Sequence, residues 1–319
     1  MLLSKVIKKK FDAVLGRYEE DPAQYYYTSN DFPDIKSEPF NVRGSHGILK
    51  GYFYFYKNIS PDNLIIFDHG IGSGHRAYFK EIEYLAKNGY TVYSYDHTGC
   101  ADSDGDGILG FAQGIDDLYI VLDTILKEDR FSNSRIKLIG HSWGGYNVMN
   151  VAQFYPAVTH VVSLAGFLSA RSLIEQYLPN FVMRYSKEVM DRERHINPDY
   201  ADLDARNSMK KSNAALLHLQ STDDIKVKFD LCYPLLYDAL KGRPKTKFIT
   251  VDHRGHEPNR TADAAMACRS MSDQLNALRK KNKLQTSTEL EEFKKSQNWD
   301  LITEQDPIIW KKILLFLDE

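Results

Sequence analysis

Residues 136–155 read IKLIGHSWGGYNVMNVAQFY, and this stretch decides the fold. A short apolar run, Ile136 to Ile139, is followed at once by GHSWG (140–144) and then by residues compatible with a helix. A serine on a sharp strand-to-helix turn needs small neighbours, because side chains at Gly140 and Gly144 would collide there. Such a turn lifts the hydroxyl of Ser142 above the end of a sheet, where it can act as a nucleophile. The competing reading is a tight turn with an idle serine.

Working outward, strand-like stretches rich in β-branched and aromatic residues occur at Gly51–Tyr56, Leu64–Asp68, Thr91–Asp96, Ile136–Gly140, Val161–Leu164, Leu216–Gln220 and Lys247–Val251. Several are continuous apolar runs, as in strands buried on both faces of a parallel sheet. Helix-like segments at Tyr78–Asn88 and Ile115–Glu128 lie between them. The alternation predicts an α/β fold with a mostly parallel central sheet flanked by helices. We expect the core to comprise residues 31–166 and 213–319. Residues 167–212 exceed a single crossover and predict a helical cap inserted between two late strands, with Pro179 dividing two helices. Residues 257–306 form a polar insertion before the last amphipathic helix, which opens at Pro307. Residues 1–30 read as an N-terminal extension whose Val6, Ile7, Phe11, Val14 and Leu15 recur at helical spacing.

Composition narrows the partners. The chain has 319 residues, with 41 basic against 43 acidic side chains and a formal net charge of -2. No long block of one sign suits nucleic acid or a membrane surface, so a small molecule is the expected partner. Cys100, Cys232 and Cys268 are widely spaced and lack a CxxC pattern, which suggests neither a disulfide framework nor a zinc site. Lysines at positions 5, 8, 9 and 10 interrupt any signal-peptide core, and no run approaches a membrane span, so a cytoplasmic protein is expected.

A serine hydroxyl needs a histidine to take its proton and a carboxylate to orient that histidine, in the chain order Ser, Asp or Glu, His. Of the five downstream histidines only His253 and His256 follow the last strand. His256 is favoured because Gly255 lets its loop turn the ring back over the nucleophile; His253 is the alternative. The run STDDIKV puts Asp223 and Asp224 at a strand's carboxyl end, and only one of two adjacent residues can face the histidine. The other would be a solvated loop carboxylate. An oxyanion would need two backbone N–H donors. Trp143 supplies the first, and HGIGSG (69–74) the second through Ile71, with Gly70 as the neighbour that could replace it. Residues 102–113 (DSDGDGILGFAQ) imitate a calcium loop, but the twelfth position is Gln113 and a strand precedes it, so no metal is expected.

Together HGIGSGHRAY, YDHTGCADSDG, GHSWGG, STDDIKV and GHEP resemble the monoacylglycerol lipase, lysophospholipase and serine aminopeptidase branch of the α/β-hydrolase superfamily, over about residues 60 to 260. In that branch the catalytic acid ends a short GxxD-like turn and is soon followed by a valine, which implies Asp224, with Val227, as the acid. The residue after the HG pair is the oxyanion donor, which implies Ile71. The sequence departs from the branch at Ser221, where glycine is usual, at Trp143, often a smaller residue, and in the 257–306 insertion. The resemblance implies serine-dependent hydrolysis of carboxylic esters without a cofactor. Amide or thioester cleavage by the same triad is the alternative, with Glu175 as a cap residue able to hold an amine. A noncatalytic ligand-binding module is a third possibility, which a broken triad would favour.

Overall fold

The computed structural model describes residues 11–72, 74–178 and 186–319. Among the described residues there are ten strands: β1 (Lys36–Pro39), β2 (Val42–Gly44), β3 (Gly47–Leu49), β4 (Gly51–Phe55), β5 (Leu64–Asp68), β6 (Thr91–Tyr95), β7 (Ile136–His141), β8 (Val158–Leu164), β9 (Ala215–Ser221) and β10 (Thr246–Val251). Eight of them make one sheet in the order β1-β4-β6-β5-β7-β8-β9-β10, and β2 and β3 pair as a separate hairpin. Within the eight-stranded sheet all pairings from β6 onward are parallel, and β1 with β4 and β4 with β6 are antiparallel. The mostly parallel α/β architecture expected from the alternation of apolar runs is the one found.

The central strands β5, β6, β7 and β9 are buried at every position, as expected of strands covered on both faces of a parallel sheet. Alternate residues feed two layers. Leu64, Ile66, Ile136 and Leu138 join one core with the helices Gln113–Lys127 and Trp143–Val151. Ile65, Phe67, Ile139 and Val162 face the opposite layer, where Ile82, Leu85, Trp310 and Phe316 come from the helices Phe79–Lys87 and Pro307–Leu317. Each such side chain contributes about 1.5–3 kcal/mol by leaving water.

The parallel strands carry their loops to one end of the sheet, the end where α/β folds build sites. Residues 69–74 follow β5, Ser142 follows β7, Asp223 and Asp224 follow β9, and His256 follows β10.

Three segments gather over that end. Within residues 167–212 lie the helices Ala170–Tyr177, Ser186–Ile196 and Ala205–Lys211. The last of these was not foreseen, and Pro179 lies outside the described residues. Residues 257–306 contain the helices Ala262–Lys280, Ser287–Ser296 and Trp299–Ile302. This excursion leaves and rejoins the core at adjacent points, where Arg260 bridges to Gln305 and Asp306 N–H donates to Asn259 O at 2.9 Å. Phe11 to Val14 are helical, and the chain then runs beside the 99–109 loop, with Tyr18 bridging to Cys100. Ala23 joins Met271, Leu275, Phe293 and Ile302 in a small apolar cluster separate from both core layers. Arg279 and Asp21 are paired at 2.6 Å, and Tyr27 donates to Asp300 at 2.8 Å. The N-terminal segment and the 257–306 helices thus form one layer, which we call the roof.

Candidate active site

The turn between β7 and the helix Trp143–Val151 is as tight as its glycines require. A Cβ on Gly140 would sit 2.2 Å from the Gly144 carbonyl oxygen, and one on Gly144 only 2.0 Å from that of Asp68. Ser142 itself has φ 55° and ψ -110°, a conformation costing a non-glycine residue about 1–3 kcal/mol. Ser142 N–H donates to Leu164 O at 2.7 Å, and Ser142 O accepts from Tyr146 N–H at 3.0 Å, so both flanks of the strained residue are anchored. The helix N-terminus behind it favours negative charge at this point.

His256 donates from Nδ1 to Asp224 Oδ2 at 2.9 Å, with Asp224 buried. The other carboxylate oxygen, Oδ1, accepts from the N–H groups of Lys226 at 2.9 Å and Val227 at 3.0 Å. Asp224 is therefore pinned by the backbone of its own loop, and its bond to Nδ1 leaves Nε2 as the free acceptor of the ring. His253, with φ 60°, is exposed and absent from the cavity that His256 lines.

Asp223 is not the solvated carboxylate that the sequence suggested. Its Oδ1 accepts from Gly255 N–H at 2.9 Å and Ser221 Oγ at 2.6 Å, and Oδ2 meets Arg269 at 3.1 Å. Burial raises its pKa, but the Ser221, Gly255 and Arg269 contacts outweigh that and bring it to about 2. Adjacent aspartates thus divide the work. Asp224 holds the imidazole, and Asp223 holds the backbone that carries it.

The 69–72 turn lies directly against Ser142: a Cβ on Gly70 would be 3.3 Å from Ser142 Cβ. Gly70 N–H is already engaged by the Tyr78 hydroxyl at 3.2 Å, which removes it as a free donor. Gly70 O accepts from His69 Nδ1 at 2.8 Å, and His69 Nε2 accepts from His97 N–H at 3.0 Å. Because the peptide is planar and trans, holding the Gly70 carbonyl on His69 turns the Ile71 N–H the opposite way.

Two further residues brace the site, and the spacing rules did not single them out. His141 donates from Nε2 to His256 O at 2.7 Å and accepts at Nδ1 from Tyr78 OH at 2.8 Å. One ring therefore ties the His256 loop, through Tyr78, to Gly70. Burial lowers the His141 pKa to about 4, so the ring is neutral at pH 7. Beneath the turn, His97 lies between Asp68 at 3.0 Å and Asp117 at 3.2 Å, with the Trp143 ring 4.6 Å away. Burial opposes charge on His97, yet the two carboxylates prevail and raise its pKa to about 9, making it an imidazolium. Trp143 Nε1 donates to Phe111 O at 2.7 Å, which fixes the indole. His141 stands inside GHSWG and His69 inside HG, so the signal was present, but nothing in a single sequence says where a ring nitrogen points.

Two polar side chains of the calcium-like loop are engaged by neighbouring segments. Asp104 accepts from Ile48 N–H at 2.7 Å, and Gln113 donates to Asp117 at 2.9 Å.

Ser142, His256 and Ile71 line one cavity of about 880 Å³, in the size range of small-molecule sites. One side offers Phe111, Phe167, Leu173, Ile174 and Leu178, all members of the main core cluster. The other side is the roof, with Tyr26, Met271, Ser272, Trp299, Ile302 and Thr303. The residues 167–212 therefore supply only part of the enclosure; the 257–306 helices and the N-terminal segment supply the rest. Among the described residues no helix is long and apolar enough to cross a membrane, and no group of three or more His, Cys, Asp or Glu side chains is placed to hold a metal.

Comparison with known proteins bears on the family and the fold. Residues 59–225, just over half of the chain, match the family described as "Serine aminopeptidase, S33". A proline iminopeptidase of Clostridioides difficile is 28% identical over 139 residues, 40% of this chain and 44% of that protein. One from Saccharolobus solfataricus is 25% identical over 185 residues, 54% of this chain and 58% of that protein. The chain thus spans about half the length of these curated relatives. Among solved structures, a Pyrococcus furiosus esterase superposes with a TM-score of 0.60 at 16% identity, covering 83% of this chain and 99% of that one. A Pyrococcus horikoshii acylaminoacyl peptidase gives 0.54 at 18% identity, covering 70% and 38%. The chain has the α/β-hydrolase fold and belongs to the serine aminopeptidase S33 family.

Proposed function

We propose that the protein is a serine hydrolase that cleaves carboxylic esters through an acyl-enzyme. The observation that carries this reading is His256, joined to the buried Asp224 at 2.9 Å and lining one cavity with the strained Ser142. Ser142 Oγ attacks the ester carbonyl while His256 Nε2 takes its proton. The carbonyl oxygen becomes an oxyanion held by the Ile71 and Trp143 N–H groups at the helix N-terminus. On collapse, the C–O bond to the alcohol breaks and His256 returns the proton to the leaving oxygen. Water, deprotonated by the same ring, then releases the acid and regenerates Ser142. No cofactor enters. In this reading residues 31–166 and 213–319 are the catalytic core, and residues 167–212 are a cap over the acyl pocket.

A fluorophosphonate probe tests the assignment. Wild-type protein is expected to be labelled at Ser142 and Ser142→Ala to remain unlabelled; equal labelling of both would remove Ser142 from the mechanism.

Aminopeptidase activity is the second reading. It is favoured by the family match and by carboxylates of Glu19, Asp21 and Glu257 in the cavity lining, which could receive a substrate's amine. Comparing p-nitrophenyl esters of increasing chain length with aminoacyl-nitroanilides separates the two: faster turnover of the anilides would select the peptidase.

A further inference from the structure

The two outer strands of the sheet are built differently. β1 has four residues, KSEP, ends in proline and exposes Lys36, Ser37 and Pro39, the usual means by which an edge is kept from pairing. At the other edge β10 runs six residues, TKFITV, without proline or a shift of register, and β9 is its one strand neighbour among the described residues. Every second N–H and C=O of β10 therefore points away from the sheet with no strand to receive it. Lys247, its only charged side chain, is drawn aside by Glu319. Beside this bare edge lies an aromatic ladder. Phe229, Tyr233 and Tyr237 stack along the helix Phe229–Leu240 with successive ring centroids 4.8 and 6.2 Å apart. The half-buried Phe248 of β10 meets Tyr233 at 5.7 Å and Tyr237 at 5.2 Å, and Tyr237 is 42% exposed.

The sequence of the edge indicates what it pairs with. Two copies related by a two-fold axis normal to the sheet would pair β10 antiparallel, and residues opposite each other must then face the same layer. Phe248 faces the ladder, whereas Lys247 and Ile249 face the layer of Trp310 and Phe316. A pairing centred on Lys247 would oppose two lysines. One centred on Phe248 opposes Phe248 to its own copy, Thr246 to Thr250 and Lys247 to Ile249, so aromatic and threonine pairs form and no like charges meet. The ends of the strand match as well. Lys245, just before β10, has no ion-pair partner among the described residues; Asp252, just after it, accepts from the Thr222 hydroxyl alone, and both are exposed. The antiparallel arrangement brings each Lys245 close to the second copy's Asp252, once at either end of the seam.

We propose that β10 is a self-association edge, through which a second copy of this chain pairs antiparallel about Phe248 and joins the two sheets into one. The two-fold axis sets the helices Phe229–Leu240 of both copies on the same face of the joined sheet, with Tyr237 of each beside the seam. Because the strands run in opposite directions across the seam, the two Ser142 cavities lie at opposite ends of the joined sheet and neither copy covers the other's.

Sedimentation velocity of the full chain over a range of about 0.1–100 μM tests this, and a concentration-dependent passage from monomer to dimer is expected. Lys245→Glu and Asp252→Lys should each weaken the dimer by roughly tenfold in Kd, since each change acts twice across the axis, and the exchange of both in one chain should restore it. Phe248→Lys opposes like charges at the centre and should leave only monomer over the same range. The Tm of each variant, measured at the dilute end of the range, reports whether the protomer is folded; if Phe248→Lys does not fold, the exposed pair at 245 and 252 decides. A wild-type chain that stays monomeric throughout overturns the proposal. So does a dimer whose Kd is unmoved by these substitutions, which would put the contact on another face, and so does a loss in the single variants that the double exchange fails to recover.

Discussion

The two sides of the cavity are built on different principles. Below Ser142 the polar groups are buried and joined in a network: His97 between Asp68 and Asp117, His69 on Gly70 O, and His141 between Tyr78 and His256 O. Above it the roof is an assembly of amphipathic pieces with a small apolar cluster of its own, held together by pairs such as Arg279–Asp21 and tied to the body through pairs such as Lys80–Asp300, each partly exposed. Buried networks fail when a single partner is lost, because the other is left unpaired in a low dielectric. Exposed pairs are worth little individually, with a median of about 0–1 kcal/mol. The floor is thus set up for exact geometry and the roof for tolerance.

That contrast can be broken or sharpened by experiment. Asp224→Asn keeps the shape of the pair but favours the wrong ring tautomer, and a kcat loss on the order of 10⁴-fold is expected in steady-state kinetics. A loss below tenfold would mean that Asp224 is not the acid. Gly144→Ala forces a Cβ to 2.0 Å from the Asp68 carbonyl oxygen. Overpacking of that kind costs about 1–3 kcal/mol or more, so calorimetry should show a Tm drop of several degrees. Asp223→Asn weakens the hold on Gly255 and Arg269 without touching the imidazole; we expect kcat to fall roughly tenfold, far less than for Asp224→Asn.

The floor should also dominate the pH dependence. His69, His141 and His218 are each lowered to about 4 by burial. Between that value and the ordinary histidine pKa of about 6.5 the unfolded chain binds protons that the native chain refuses, so stability falls as pH drops through this window. His97 acts oppositely: raised to about 9, it stabilises the fold below its unfolded pKa, and that contribution is lost as pH climbs through 9. Urea unfolding across pH 4–10 should therefore give a plateau that declines on both sides, and a monotonic profile would contradict these protonation states. The smallest effect belongs to the roof. Met271→Ala is expected to raise KM for long-chain esters by a few-fold with little change in kcat; a kcat loss as large as that of Asp223→Asn would erase the distinction between the two sides.

Much of the floor is legible in the sequence because its chemistry is written in short, local patterns. The apolar run 136–139, the glycines at 140 and 144, and the loop after β9 can each be read without knowing their neighbours. Strand β1 escapes such reading: KSEP has no apolar run, ends in proline and lies exposed at the sheet edge. The strands β2 and β3 are three residues each and leave no period to detect. The roof is hidden for another reason. Its amphipathic helices announce an apolar face but not what covers it, and the covering segment is distant in sequence, as with Arg279 and Asp21, 258 positions apart. For the same reason the second task of Asp223 could not be read, since its partner Arg269 lies on a helix whose placement only the folded chain determines.

That Arg269–Asp223 contact joins the roof helix Ala262–Lys280 to the loop that carries His256. The helix is consequently not an interchangeable module. A chimera that grafts another protein's segment in place of residues 262–303 would inherit a loosened histidine unless it also supplied a cation for Asp223, and in the divergence of related chains positions 223 and 269 are expected to change as a pair.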